Sequence, residues 1–125
     1  MITVYSEKHF LRNARTELYG GELVRPHENL PLPRGTDFSA WRTALDAALA
    51  RIDRFAPSAL VVSLGVDTFE HDPISFFKLR SDDFTQYGRI LGALRIPTLF
   101  VLEGGYAVAE IGVNAVNVLQ GFEAP

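Results

Sequence analysis

The fold is decided by the stretch ALVVSL at residues 59–64, a short apolar run that lies between Pro57 and Gly65. A continuous apolar run of this length, bounded by proline and glycine, is typical of a buried strand in a parallel sheet. A second run, TLFVL at residues 98–102, begins after Pro97 and is ended by a pair of glycines. We therefore predict two buried parallel strands in this part of the chain.

Segments with helical periodicity precede and follow each of the two strands in the sequence. From Phe38 to Phe55, apolar residues recur at steps of three and four, which predicts an amphipathic helix whose first turn is capped by Thr36 or Asp37. Ser81 is the predicted cap of a second helix, and the pattern of a third helix follows the second strand.

This alternation of helices and strands predicts an α/β fold in which helices cover a small parallel sheet. A further short strand is expected at residues 2–6, and residues 7–37 have no clear periodicity. The prediction is therefore a minimal three-layer unit with about three strands. Ligands of such sheets bind beyond the carboxyl ends of the strands, so the loops at residues 65–79 and 103–108 form the expected site.

Composition narrows the class of protein. The chain has 125 residues, of which 47% are apolar and 22% charged, as in an ordinary globular domain. The net charge of −3 argues against nucleic acid as a partner, because phosphate binding needs clustered Lys and Arg. The sequence has no cysteine, which excludes disulfides and thiolate metal sites. No apolar run approaches the roughly 20 residues that span a bilayer, and we expect a cytoplasmic protein with no membrane partner.

The loops at the strand ends carry specific motifs. VSLGVDTFEHDPISFFKL at residues 62–79 resembles the segment of the histone deacetylase superfamily that carries its aspartate zinc ligand. EGGY at residues 103–106 resembles the glycine turn that presents the catalytic tyrosine of that superfamily. EIGVN at residues 110–114 and TELYGGELV at residues 16–24 are similar to the acetylpolyamine amidohydrolase branch.

The resemblance implies a cut-down arginase/deacetylase fold and zinc-dependent hydrolysis of an acetyl amide on a polyamine or an acyl-lysine. It implies that Asp67 is a metal ligand and that Tyr106 donates a hydrogen bond to the oxyanion of the tetrahedral intermediate. Gly104 and Gly105 would shape the turn beside the substrate, and Glu17 would help to receive the positive charge of the polyamine.

Each of these residues also has a simpler structural interpretation. Asp67 could tie down the turn after its strand, and Tyr106 could be a loop aromatic that covers the sheet end. Glu17 could be a solvated loop carboxylate. His71, four residues after Asp67, and His27, near an apparent junction, are weaker candidates for a metal ligand. For His71, a surface position is favoured.

The middle of the family pattern is absent from this sequence. The N-terminal match stops near residues 26–28, and the C-terminal match begins near residues 29–31. In the family, the region between these matches holds a histidine pair and an Asp-x-His pair, and neither motif occurs in this sequence. We therefore predict one truncated deacetylase-like domain over residues 1–125, made of an N-terminal strand and entry loop (1–28) and a C-terminal part (29–125). Zinc or another divalent metal would be held weakly, with no other cofactor.

Two hypotheses about function follow. The first is residual or repurposed amide or ester hydrolysis at the strand ends, with an acetylated polyamine or another small acyl compound as substrate. The alternative is a non-catalytic protein that oligomerises or binds a partner. Because open sheet edges invite another chain, we expect a homo-oligomer, most simply a dimer.

Overall fold

The computed structural model describes residues 30–125. In chain order, the elements are helix α1 (Phe38–Phe55), strand β1 (Leu60–Gly65), helix α2 (Ser81–Gly92), strand β2 (Thr98–Gly104) and helix α3 (Ile111–Glu123). The predicted alternation of helices and strands is confirmed over this part of the chain. The strand predicted at residues 2–6 and the entry loop within residues 1–28 lie outside the described residues.

The helix ends follow local chemistry, with one difference from the prediction. Asp37 caps α1, because its Oδ1 accepts a hydrogen bond of 3.0 Å from the backbone N–H of Ala40. The cap predicted at Ser81 is wrong, since Ser81 is already the first helical residue of α2. Arg80 occupies the cap position, and its backbone N–H donates to Asp83 Oδ2 at 2.7 Å. A carboxylate in the first turn thus satisfies the free backbone donor.

The two strands form a parallel pair, as predicted. Their register aligns Leu60 with Thr98 and Leu64 with Leu102. The register then shifts by one residue, so that Gly65 pairs with Gly104. The two strands therefore end together.

All three helices contribute side chains to one core. Alternate residues of β1, beginning at Leu60, are buried, and the Phe100 ring of β2 contacts the Phe122 ring of α3 with centroids 5.1 Å apart. Helices α2 and α3 lie side by side, and α1 reaches the same core through Trp41, whose ring meets that of Tyr87 edge-on at 5.0 Å.

The opposite face of the sheet is open within residues 30–125. Val61, Leu99 and Val101 have 45%, 59% and 39% of their surface exposed. The predicted burial of the two strands is therefore incomplete within residues 30–125, because these residues of β1 and β2 remain exposed. Among the described residues, no helix combines the length and apolar character needed to cross a membrane.

Candidate functional site

The site is built where β1 and β2 end. The backbone N–H of Val66 donates to the carbonyl oxygen of Gly104 at 2.9 Å, which extends the strand pairing by one residue into the first loop. The loop after β1 and the turn after β2 consequently leave the sheet side by side. The carboxyl ends of parallel strands are the usual place for a ligand site in an open α/β sheet.

Asp67 lies over both strand ends. A Cβ atom built on Gly65 would lie 2.9 Å from Asp67 Oδ1, and one built on Gly104 would lie 2.8 Å from Asp67 Oδ2. The two glycines therefore leave the space that the carboxylate occupies. Burial raises the pKa of the Asp67 carboxyl, and the charge of Asp72 raises it further, against a smaller opposing effect of a backbone hydrogen bond at Asp67 itself.

The turn that carries Tyr106 depends on the glycine before it. Gly105 has φ +137°, a conformation that residues with a side chain rarely adopt. A Cβ atom there would also lie only 2.6 Å from Val66 Cγ2. Tyr106 follows directly, with 49% of its surface exposed. The turn thus lies against the first residue of the loop that carries Asp67.

Asp72 joins the two loops, and the sequence interpretation did not assign it a role. Its Oδ2 accepts a hydrogen bond of 2.7 Å from the backbone N–H of Tyr106, 34 residues along the chain. Its Oδ1 accepts a second hydrogen bond, of 3.0 Å, from the backbone N–H of Ile74. The signal in the sequence was its position before Pro73 inside the resembling segment, where an Asp commonly bonds the backbone two residues on.

The histidine and glutamate candidates are placed differently. His71 is largely exposed, its ring packs edge-on against Phe69 at 5.4 Å, and its Nε2 lies 3.9 Å from Glu70 Oε1. These contacts are those of a surface residue. Glu17 and His27 lie outside the described residues.

The described residues do not by themselves fit a tight metal site. Within residues 30–125, no three His, Cys, Asp or Glu side chains come together in an arrangement that could hold a metal ion. Catalytic zinc is normally held by three protein ligands plus an open position. Asp67 would supply one of these ligands.

A cavity of about 80 Å³ lies beside Asp67, between the end of β1 and helices α1 and α2. Its walls include Trp41, Phe84 and Tyr87, with Ser63 and Thr68 as further polar side chains. Burial raises the pKa of the Tyr87 phenol, so this hydroxyl stays protonated at neutral pH and can donate a hydrogen bond. The residues that line the cavity therefore include aromatic rings, residues with hydroxyl groups and Asp67.

Known proteins resemble this chain in sequence and in fold. A family model described as the histone deacetylase domain matches residues 12–122, nearly the whole chain. The chain belongs to the histone deacetylase domain family. The resemblance inferred from the strand-end motifs is thereby confirmed, and the small parallel sheet with covering helices is a part of the arginase/deacetylase fold.

Its relatives in this family include acetylpolyamine amidohydrolases. The chain is 59% identical over 95 residues to acetylpolyamine amidohydrolase 2 of Pseudomonas aeruginosa, an overlap of 76% of this chain and 28% of the relative. It is 57% identical over 113 residues to the acetylpolyamine amidohydrolase of Mycoplana ramosa, covering 90% of this chain and 33% of that protein. The crystal structure of an acetylpolyamine aminohydrolase from Burkholderia pseudomallei superposes with a TM-score of 0.74 at 44% identity, over 77% of this chain and 28% of that one. The chain thus spans about a third or less of the length of these relatives.

Proposed function

We propose that this chain carries the aspartate and tyrosine part of an acetylpolyamine amidohydrolase-type site, and that it hydrolyses acylated amines or esters only at a residual rate. The observation that supports this proposal is the position of the Asp67 carboxylate over both strand ends, next to the turn that presents Tyr106. The relatives named as acetylpolyamine amidohydrolases suggest an acetylated polyamine, or another small acyl compound, as substrate.

The proposed roles follow from the chemistry of the side chains. The Tyr106 hydroxyl would donate a hydrogen bond to the oxyanion that forms when water attacks the acyl carbon. Such a donor lowers the barrier only where a nucleophile is also generated. Histidine pairs that could serve as general base are absent from the sequence, and a general base contributes about 10²–10⁴-fold to rate. We therefore place the activity well below that of a complete enzyme.

Metal analysis and hydrolysis assays on the full chain test the proposal. We expect slow turnover of an activated ester that falls towards the blank rate in Tyr106→Phe, and acetyl-amide turnover at least about 10²-fold below that of an acetylpolyamine amidohydrolase relative. Asp53→Asn is the matched control for Asp67→Asn, since it removes the same charge from an exposed position on α1. Zinc-dependent amide turnover near about one per second, abolished by a chelator and by Asp67→Asn, would show that the chain is a working deacetylase.

A second candidate is a non-catalytic protein that oligomerises or binds a partner. The open sheet face formed by Val61, Leu99 and Val101 favours it, because exposed apolar residues that lie together commonly mark an interface. A second copy of this chain is the simplest occupant, since closed two-fold symmetry is the commonest arrangement of soluble oligomers. Ester hydrolysis that is unchanged in Tyr106→Phe, together with a stable dimer, would favour this candidate over the hydrolase. A cytoplasmic location remains part of the proposal in both cases.

A further inference from the structure

Asp72 is the buried carboxylate that connects the two loops of the site. Only 6% of its surface is exposed. Each of its carboxylate oxygens accepts one backbone N–H, from Ile74 at 3.0 Å and from Tyr106 at 2.7 Å. Its own backbone N–H donates to the carbonyl oxygen of Phe69 at 3.0 Å, so that Asp72 is itself held in its loop.

The turn at residues 104–106 needs such an anchor. It passes through Gly105, whose φ of +137° is a conformation that residues with a side chain rarely adopt. The strand pairing ends one residue earlier, where Val66 bonds to Gly104. The hydrogen bond from the Tyr106 backbone N–H to Asp72 fixes the chain immediately beyond this glycine. Two residues further along the chain, Val108 is almost wholly exposed.

The carboxylate is chemically suited to this role, whereas its amide analogue is not. A hydrogen bond from a backbone N–H to a carboxylate is stronger than one between neutral groups, and a carboxylate can accept at both oxygens. Asparagine has one acceptor oxygen and one NH₂ group, so it could bond one of the two backbone N–H groups while its NH₂ faced the other. Replacement by Asn should therefore lose one of the two contacts, and replacement by Ala should lose both.

We infer that Asp72 is a positioning residue for Tyr106, holding the tyrosine turn against the loop that carries Asp67 through the hydrogen bond between Asp72 Oδ2 and the Tyr106 backbone N–H. The catalytic meaning of this position rests on the proposed function, but the positioning itself does not. Asp72 acts through the backbone of Tyr106 and has no role of its own in the reaction.

Amide hydrogen exchange, followed by NMR on the full chain, tests the inference without activity. In the wild-type protein, the Tyr106 amide should be protected from exchange. In Asp72→Ala, its exchange should accelerate by about 10- to 100-fold, the range expected for loss of a hydrogen bond to a charged acceptor. The amides of α2 should keep their protection, as should all of these amides in the control variant Asp53→Asn.

The outcomes separate this inference from the proposed function. An unprotected Tyr106 amide in the wild type, or unchanged protection in a folded Asp72→Ala protein, would overturn the inference. Asp72→Asn provides the second variant if Asp72→Ala fails to fold, since it keeps one acceptor. In the hydrolysis assay, Asp72→Ala should lower kcat more than it changes KM, and should add little to the loss already caused by Tyr106→Phe. Loss of protection combined with no effect of Tyr106→Phe would support the positioning role and count against the hydrolase.

Discussion

Helices α2 and α3 approach each other through glycines, and replacing one of them tests whether this chain holds the described fold. A Cβ atom on Gly88 of α2 would lie 2.0 Å from the carbonyl oxygen of Val118 on α3. In the reverse direction, a Cβ atom on Gly121 would lie 2.1 Å from the carbonyl oxygen of Thr85. Because the obstructing atoms belong to helix backbones, no side-chain rotation can relieve these contacts.

The size of the effect of Gly88→Ala follows from this distance. Ordinary contact begins at 3.4 Å, so the two helices would have to separate locally by 3.4 − 2.0 = 1.4 Å. Overpacking of a well-packed core costs about 1–3 kcal/mol and occasionally more, and a shift of this size belongs at the upper end. The higher helix propensity of alanine returns about 1 kcal/mol. We expect a net loss of about 2 kcal/mol in the free energy of unfolding, and a Tm lower by about 8 °C for a chain of 125 residues.

Gly112→Ala is the matched control. Gly112 also lies on α3, but a Cβ atom there would meet no atom within 4 Å. The same chemical change should therefore raise the free energy of unfolding by up to about 1 kcal/mol through helix propensity. Thermal and urea denaturation followed by circular dichroism measure both variants. A Gly88→Ala protein as stable as Gly112→Ala would show that α2 and α3 do not pack as described.

Three further predictions concern the site and the open sheet face. Because burial raises the folded-state pKa of Asp67, the stability associated with its protonated form is fully present below pH 3.8 and is lost as the pH rises through the folded-state pKa. Asp67→Asn should therefore be more stable than the metal-free wild type at pH 7. A thermal melt series in which this advantage does not shrink below about pH 4 would contradict the raised pKa. Zinc should bind more weakly than about 1 µM in calorimetry, and a tighter one-to-one site that disappears in Asp67→Ala would mean that further ligands exist. Sedimentation over a concentration series should detect a dimer that Leu99→Lys weakens. The control is Val108→Lys, at an exposed position two residues after Tyr106. A monodisperse monomer of 13.9 kDa at high micromolar concentration would show that the sheet face needs no partner.

The elements of the fold could be predicted because their signals are local. The apolar run at residues 59–64 and the helical periodicity from Phe38 to Phe55 depend on neighbours within one element, and both elements occur where they were expected. The exposure of Val61 and Leu99 could not be predicted in this way. An apolar residue in a strand is suited to burial, but whether its side chain is buried depends on which helices lie over that face of the sheet.

The candidate site shows the same division between local and long-range signals. Asp67 and Tyr106 were predicted as site residues from motifs that each lie within a few residues. Asp72 was not found, because its hydrogen bond to the Tyr106 backbone joins positions 34 residues apart, and such a pairing becomes visible only when the strand register is known. The register itself depends on long-range pairing that a single sequence does not specify.

The glycines at the strand ends have both a local signal in the sequence and a long-range role in the structure. The sequence indicates that Gly65 and Gly104 are turn residues. In the structure, both glycines lie under the Asp67 carboxylate, and a side chain on either one would displace it. Their pairing across the sheet requires the register shift after Leu64, which brings the two glycines opposite each other. The position of the Asp67 carboxylate is therefore set by backbone geometry and by the absence of two side chains. Tyr106 is likewise positioned through its backbone, by the hydrogen bond from its N–H to Asp72. The placement of both residues thus depends on contacts within residues 30–125. The further metal ligands and the general base that the proposed hydrolysis would need are a separate requirement, which those contacts do not supply.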